Sequence, residues 1–313
     1  MKVIYTNYKK IAFLILLAIG LPILCHGQQD SEYTQYMYNT VTVNPAYAGN
    51  RGVLSFNSLY RSQWVGLDGA PKSLTFSLNS PVGERGVGLG LSVIHDEIGP
   101  STESTVTADF SYTISLSRRT HLSFGLKGGV HLLDVDFGKL GPEDPTDPNF
   151  LNNIDNRFSP NVGLGVYLHF DDRWYVGLSS PNILSTDHYD DTVSSTASEQ
   201  AHIYFITGYV FDISKNIKFK PATLIKAVKG APVAFDASAN FLFNDRFTMG
   251  FSYRLDTAIS GLAGFQINDR LMLGYAYDYD TTELGNYNSG SHDFFLRFEL
   301  GTRIRKSVNP RFF

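Results

Sequence analysis

The sequence predicts an all-β fold: an antiparallel transmembrane β-barrel of the outer-membrane type, with about 14 strands. Three observations support this prediction. The chain starts with an export signal, apolar and polar residues alternate along many segments, and short polar turns recur between those segments. A short N-terminal segment, in the periplasm or in the lumen, is expected before the first strand.

The chain begins with a secretory signal peptide. Its three lysines precede an apolar run, residues 11–24, whose length of about 14 residues is below the roughly 20 that a membrane-spanning helix needs. Cleavage is expected after Gly27, so the mature chain starts at Gln28 and contains no cysteine. Lipidation of Cys25 is the weaker alternative, because residues 22–24 are larger than those that precede lipidation sites.

Composition excludes several classes of protein. Removal of residues 1–27 takes away three of 26 basic side chains and none of the 30 acidic ones, which leaves a net charge of about −7. Nucleic acid is therefore not an expected partner. The mature chain has no further apolar run approaching 18 residues, so helical spans are not expected. A barrel needs an apolar residue only at every second position, which agrees with the mean hydropathy of −0.11.

Alternation at period two is clear in residues 73–79, 105–116, 233–243 and 293–300. The polar set of the longest segment includes Asp109, and its apolar positions are Val106, Ala108, Phe110, Tyr112, Ile114 and Leu116. A polar face opposite an apolar face predicts strands that turn one side to lipid and the other to a polar lumen. A soluble β-sandwich, whose strands also alternate, is the alternative.

Short polar connectors indicate the number of strands. Six of them alternate with seven mostly longer connections, which gives fourteen strands. The short ones are residues 80–86, 117–120, 171–173, 214–216, 244–246 and 268–270. Because the number is even and the short turns of such barrels are periplasmic, both termini are expected in the periplasm. The strands are predicted to start near Val53, Lys72, Gly86, Glu103, His121, Ser159, Trp174, His202, Ile217, Val233, Phe247, Ile259, Leu271 and His292.

The sequence shows little sign of catalysis. No two of the seven mature histidines have a spacing typical of a shared metal, and there is no GxSxG motif, P-loop or cysteine nucleophile. We therefore expect no enzyme activity, cofactor or metal. A hydrolase assembled by folding around His131 or His292 is an alternative that the sequence does not test. The acidic stretches 143–155 and 187–191 match no EF-hand spacing and are interpreted as solvated loops rather than calcium sites.

The N-terminal part of the mature chain resembles a known family. Its Asn44–Gly49 stretch, NPAYAG, and the later RSQWVG resemble the PorP/SprF outer-membrane proteins of the type IX secretion system of gliding and related Bacteroidetes. The matching positions are Gln35, Tyr36, Asn39, Asn44, Pro45, Ala46, Gly49, Arg61, Trp64, Gly66, Pro71, Asp96 and Gly99.

The segment before the first strand is interpreted as a latch or plug. Asn44–Pro45 favours an extended or turn conformation, and Gly49 permits a sharp entry into the barrel. Four tyrosines between residues 33 and 47 provide rigid contacts, which a disordered tail does not need. In-strand glycines are attributed mostly to curvature and partly to a segment bound in the lumen. The predicted division is signal peptide 1–27, latch 28–52, barrel 53–303 and tail 304–313.

The family resemblance implies a role in protein secretion at the outer membrane. Members similar to SprF assist the export or surface attachment of one large secreted adhesin by binding its C-terminal domain, and this branch is favoured. Members similar to PorP contact the periplasmic ring of the apparatus. A passive channel is a third alternative. The implied partners are that adhesin, other type IX components and outer-membrane lipid.

Overall fold

The computed structural model describes residues 36–140, 153–171, 173–184, 186–187 and 198–301. The predicted signal peptide, Gln35 and the tail 304–313 lie outside the described residues, as does most of both acidic stretches. In the described part of the chain, no helix combines the length and apolar character that a membrane crossing requires.

Fourteen antiparallel strands of the described residues close into one barrel, as predicted. They are β1 (Leu54–Ser62), β2 (Lys72–Val82), β3 (Val87–Ile98), β4 (Ser101–Ser115), β5 (Thr120–Val135), β6 (Ile154–Phe170), β7 (Trp174–Ser180), β8 (His202–Tyr209, continued by Phe211–Ser214), β9 (Ile217–Val228), β10 (Ala234–Phe243), β11 (Phe247–Arg254), β12 (Ala258–Gln266), β13 (Leu271–Asp280) and β14 (Ser291–Leu300). Each strand pairs with the next, and β1 pairs with β14 to close the cylinder.

The short turns lie at one end of the barrel, called the turn end, and the longer connections lie at the other, called the loop end. Asp171, Asn244 and Asp245 have positive φ angles in two of the turns, a conformation that Asn and Asp adopt at low cost. The predicted strand starts are close to those observed. The largest difference is in β6, predicted from Ser159 and observed from Ile154, because pairing with the long β5 continues towards the loop end.

The two faces of the wall have opposite chemistry. In β2, Ser77 is 2% exposed, whereas its neighbours Phe76 and Leu78 are 40% and 41% exposed. In β4, Asp109 is buried and Phe110 is exposed. Apolar side chains therefore cover the outside and polar ones line the inside, which is the reverse of a soluble β-sandwich.

A segment of short helical turns precedes β1. It consists of a 3₁₀ turn (Tyr36–Tyr38), one α turn (Thr40–Val43) and a second 3₁₀ turn (Pro45–Tyr47). Most of its residues are buried against inward-facing side chains of the barrel. We call residues 36–50 the lumen segment.

Candidate functional site

The lumen segment spans the barrel from wall to wall. On one side, the ring of Tyr38 stacks on Phe295 of β14 with 4.4 Å between ring centroids. On the other side, the hydroxyl of Ser179 in β7 donates a hydrogen bond of 2.9 Å to the carbonyl of Val43. Strands β7 and β14 lie on opposite sides of the closed cylinder. The segment is therefore a plug, as one of the two sequence interpretations proposed.

Asn44 fastens the segment at its middle. Its Oδ1 accepts a 3.0 Å hydrogen bond from the amide of Ala46, and its Nδ2 donates a 3.1 Å bond to the carbonyl of Val166 in β6. The residue is fully buried and caps the second 3₁₀ turn, in which Pro45 occupies a position whose N–H would have no partner. Its backbone N–H also donates to the carbonyl of Thr40 and ends the α turn, so this one residue ends one helical turn, starts the next and ties both to the wall.

Glycines in four strands make room for the segment. We call them the glycine seat: Gly88, Gly125, Gly165 and Gly177. A Cβ on Gly125 would overlap the backbone of Ala46, and one on Gly165 would overlap the side chain of Asn44. A Cβ on Gly177 would lie 2.9 Å from Nδ2 of Asn44. The expected contribution of a lumen-bound segment to the glycine pattern is therefore present, and Gly177 is a member that sequence reasoning missed.

Polar side chains of β2 and β4 also form hydrogen bonds with the lumen segment. Ser77 of β2 donates a hydrogen bond to Oδ1 of Asn39, and Ser111 of β4 donates one of 2.6 Å to the carbonyl of Ala48. The amide of Gly49 donates to Asn79 at 3.3 Å. These serines belong to the polar face of the alternating strands. The sequence identified that face but not the groups to which it binds.

Buried ion pairs lie among the other inward-facing side chains of the described strands. The guanidinium of Arg61 lies 2.7 Å from Asp278 and 2.6 Å from Asp293, and all three side chains are at most 4% exposed. Other buried pairs are Lys127–Asp109, Arg254–Asp236 and Arg51–Glu299. In each of these pairs the opposite charge offsets part of the cost of removing the buried group from water.

The remaining matching positions organise the loop end. Trp64 and Gly66 have positive φ angles in the connection from β1 to β2. Backbone hydrogen bonds join this connection to its two neighbours: Val65 donates to Gly290 at 2.9 Å, and Gly99 donates to Gly69 at 3.0 Å. Three connections are thereby held together as one surface.

The matching positions therefore fall into two groups rather than one site. The lumen group is Tyr36, Asn39, Asn44, Pro45, Ala46 and Gly49. The group towards the loop end is Arg61, Trp64, Gly66, Pro71, Asp96 and Gly99. The structure does not describe Gln35. Sequence reasoning treated both groups together because nothing in the linear order separates the two ends of a barrel.

His131 and His292, the two histidines considered for a hydrolase, lie within hydrogen-bonding distance of Thr105 and Tyr275, respectively. In the described ranges, no three side chains of the His, Cys, Asp and Glu types are grouped to hold a metal. Desolvation in the lumen raises the pKa of Tyr38 to about 12, so its phenol stays neutral at physiological pH.

Comparison with known proteins decides the family. A family model described as "Type IX secretion system membrane protein PorP/SprF" matches residues 25–298. The chain belongs to the PorP/SprF family. No curated protein sequence matches it significantly. As a PorP/SprF member with a closed barrel, it is an outer-membrane protein of the type IX secretion system.

Solved structures support the barrel fold of this PorP/SprF protein. The CymD monoaromatic hydrocarbon channel has a TM-score of 0.50 at 12% identity, covering 88% of this chain and 95% of that one. The deltaS2S3 mutant of the TodX monoaromatic hydrocarbon channel has a TM-score of 0.50 at 9% identity, covering 89% and 97%. The toluene transporter TbuX of Ralstonia pickettii, with a TM-score of 0.48 at 10% identity and coverage of 83% and 92%, is less similar and does not by itself support the fold. At these identities the likeness concerns the fold alone.

Proposed function

We propose that this PorP/SprF barrel serves one large secreted adhesin, whose export or surface attachment it assists by binding the C-terminal domain of that adhesin. The supporting observation is the lumen segment, which is buried and bonded to opposite walls. A barrel whose inner face is already engaged is better suited to holding a partner than to passing solutes. The loop end then remains as the surface for a folded partner.

The loop end has properties that suit such a partner. Three of its described connections are joined by backbone hydrogen bonds, so little ordering entropy is lost when they are bound. It also exposes large side chains, including Tyr287 at 73% and Leu140 at 49%. Exposed aromatic residues on a rigid surface are typical anchors of protein interfaces.

In this proposal the turn end faces the periplasm and the loop end faces outwards, as in other barrels with short turns at one end. The C-terminal end of β14 then lies on the periplasmic side, where other type IX components are accessible. The protein has no catalytic activity of its own, and its contribution to secretion is binding.

The proposal is tested by deletion in the native bacterium. We expect one large surface protein to be lost from intact cells while the other type IX cargo is still secreted. The surface proteome and the culture supernatant, compared by mass spectrometry, provide the measurement. Loss of all type IX cargo would instead assign the protein to the core apparatus, and no change in either fraction would refute a role in adhesin export.

A binding assay on the full-length barrel tests the surface. The purified C-terminal domain of the missing adhesin should bind the barrel, and Tyr287→Arg should weaken binding at least tenfold, the loss of one interface anchor of about 1.4 kcal/mol or more. Lys215→Glu, an exposed change at the turn end, is the matched control and should leave the affinity unchanged. A control variant weakened as much as Tyr287→Arg would argue against the loop end.

A further inference from the structure

Five neighbouring connections at the loop end form one continuous surface. They join β11 to β12, β13 to β14, β1 to β2, β3 to β4 and β5 to β6, and pairing of β14 with β1 makes this run continuous. Each connection donates a backbone hydrogen bond to a neighbour, and these bonds are Thr281 to Thr257 at 2.9 Å, Ser289 to Val65 at 2.8 Å, Gly99 to Gly69 at 3.0 Å and Asp136 to Pro100 at 3.0 Å. We call residues 63–72, 96–103, 134–140, 153–157, 255–257 and 280–290 the loop rim.

The loop rim is strongly acidic. It carries ten carboxylates, none of them buried, and three basic side chains. The carboxylates belong to Asp68, Asp96, Glu97, Glu103, Asp134, Asp136, Asp155, Asp256, Asp280 and Glu283, and the basic side chains to Lys72, Lys139 and Arg157. Asp68, Asp256 and Glu283 are exposed, and no other described side chain forms an ion pair with them. Residues 141–152 and 188–197, which lie outside the described residues, contain no lysine or arginine that would reverse this balance.

The turn end has the opposite balance. The described turns and the strand ends beside them carry eight exposed or half-buried basic side chains and five acidic ones. The basic residues are Arg85, Arg118, Arg119, Arg173, Lys215, Lys218, Arg246 and Arg270, and the acidic residues are Glu84, Asp171, Asp212, Asp245 and Asp269. The negative net charge of the chain therefore does not explain the loop rim, because the charges are separated along the barrel axis.

Large apolar side chains lie between the carboxylates of the loop rim. Leu255 and Tyr287 are 49% and 73% exposed, and Ile98 and Leu140 are 43% and 49% exposed. They come from four of the five connections. Apolar anchors among charges of one sign are suited to an interface in which the anchors supply affinity and the charges select the partner.

We propose that the loop rim docks a folded domain whose contact face is basic, and that the lysines and arginines of that face pair with the rim carboxylates around the apolar anchors. This inference rests on the proposed function and specifies the chemistry of its partner. Two other occupants match the charge less well. A second copy of the barrel would bring the same carboxylates face to face, and lipopolysaccharide carries phosphates of the same sign.

Isosteric neutralisation of three carboxylates tests the proposal. The rim variant combines Asp68→Asn, Asp256→Asn and Glu283→Gln. Asp256 has a φ angle of 55°, a conformation that asparagine also adopts, so the rim variant keeps the backbone of its connection. The matched turn variant combines Asp171→Asn, Asp245→Asn and Glu84→Gln, which removes the same number of charges by the same substitutions at the turn end.

The rate of association is the measurement, because opposite charges spread over a surface mainly accelerate encounter. The probes are purified C-terminal domains of type IX cargo proteins from the same bacterium, one set basic and one set acidic. In uncharged detergent at low ionic strength, at least one basic domain should bind the full-length barrel, and the acidic domains should not. The rim variant should slow association by at least about fivefold, and the turn variant should not change it. At about 0.5 M salt the three barrels should associate equally fast, because the charges are screened.

Several results would overturn the proposal. Failure of every basic domain to bind, equal rates for the three barrels at low salt, or faster binding to the rim variant would each contradict a basic partner. If the unaltered barrel dimerises at low salt, or retains lipopolysaccharide that the rim variant loses, the loop rim has a different occupant.

The docking surface and the proposed function can fail separately. If a basic domain binds through the loop rim but deletion of the barrel removes no surface protein, the role in adhesin export is wrong and the docking surface stands. If deletion removes one adhesin whose C-terminal domain binds all three barrels equally fast, the adhesin role stands and the basic docking chemistry is wrong.

Discussion

Arg61 illustrates how single residues stabilise the interior of this barrel. Its guanidinium contacts two carboxylates, Asp278 and Asp293, that are more than 200 positions away in the chain. Alternation in residues 293–300 predicts that Asp293 points inwards. The sequence does not show that the three residues meet, because their contact depends on the closure of β1 onto β14.

Replacement of Arg61 should be costly. Arg61→Ala leaves two buried carboxylates side by side without a counterion, so we expect the free energy of unfolding to fall by about 3–5 kcal/mol. Denaturant titration of the purified barrel in detergent micelles measures this change.

An exposed arginine is the control for Arg61. Arg119 lies 3.9 Å from Asp171 at the turn end, and its side chain is 69% exposed. Arg119→Ala should therefore change the free energy of unfolding by less than about 1 kcal/mol. Equal effects of the two substitutions would show that the Arg61 cluster adds nothing beyond a surface pair.

The lumen segment is the element whose role depends most on packing. Residues of β3, β5, β6 and β7 are glycine where a side chain would collide with it. A glycine that faces lipid and a glycine that faces the plug look alike in the sequence. Sequence reasoning could predict a latch and a glycine excess, but the pairing of each glycine with a residue of the latch required the three-dimensional structure.

Two glycines of β5 allow a glycine that faces the lumen segment to be compared with one that faces lipid. In Gly125→Val the new side chain overlaps the backbone of Ala46, so the segment should be displaced at a cost of about 1–3 kcal/mol. A Cβ on Gly128 would meet open space, with no contact within 4 Å beyond its chain neighbours, and Gly128→Val should leave the segment in place.

Conductance in planar bilayers measures the outcome. The unaltered barrel and Gly128→Val should be silent, and Gly125→Val should show unitary current steps, because the lumen is no longer filled by the segment. Steps of the same size in all three proteins would mean that the segment does not close the barrel and would favour the passive-channel alternative.

At the scale of the whole molecule, the apolar outer surface adapts the barrel to the membrane. Leu126, near the middle of β5, is 55% exposed and is flanked in sequence by the buried residues Gly125 and Lys127. Leu140, in a 3₁₀ turn at the loop end, is 49% exposed. Although the two side chains are similarly exposed, we expect Leu126 to contact lipid and Leu140 to contact water, because only Leu126 lies within a strand of the barrel wall.

A charge introduced at each of these two positions tests whether that position lies inside the hydrocarbon layer of the membrane. Leu126→Arg should destabilise the membrane-inserted barrel by about 2–4 kcal/mol, whereas Leu140→Arg should be nearly neutral. Reversible unfolding from lipid vesicles provides both values. If Leu140→Arg were as harmful as Leu126→Arg, the loop end would have to lie within the hydrocarbon layer.

The sequence by itself determined the barrel, its strand number, its turns and, in the clearly alternating strands, the face that is turned to lipid. The physical reason is local. Successive side chains of a strand point to opposite faces, and lipid on one face requires an apolar residue at every second position. Asn and Asp in the short turns mark the strand ends in the same way. These features need no knowledge of which strand neighbours which.

Only the tertiary structure decided what occupies the lumen. The bonds from Asn44 to β6, from Ser179 to Val43 and from Arg61 to β13 and β14 join residues that closure of the cylinder brings together. In the closed barrel, the predicted latch is a plug that is bonded to strands on opposite sides of the cylinder.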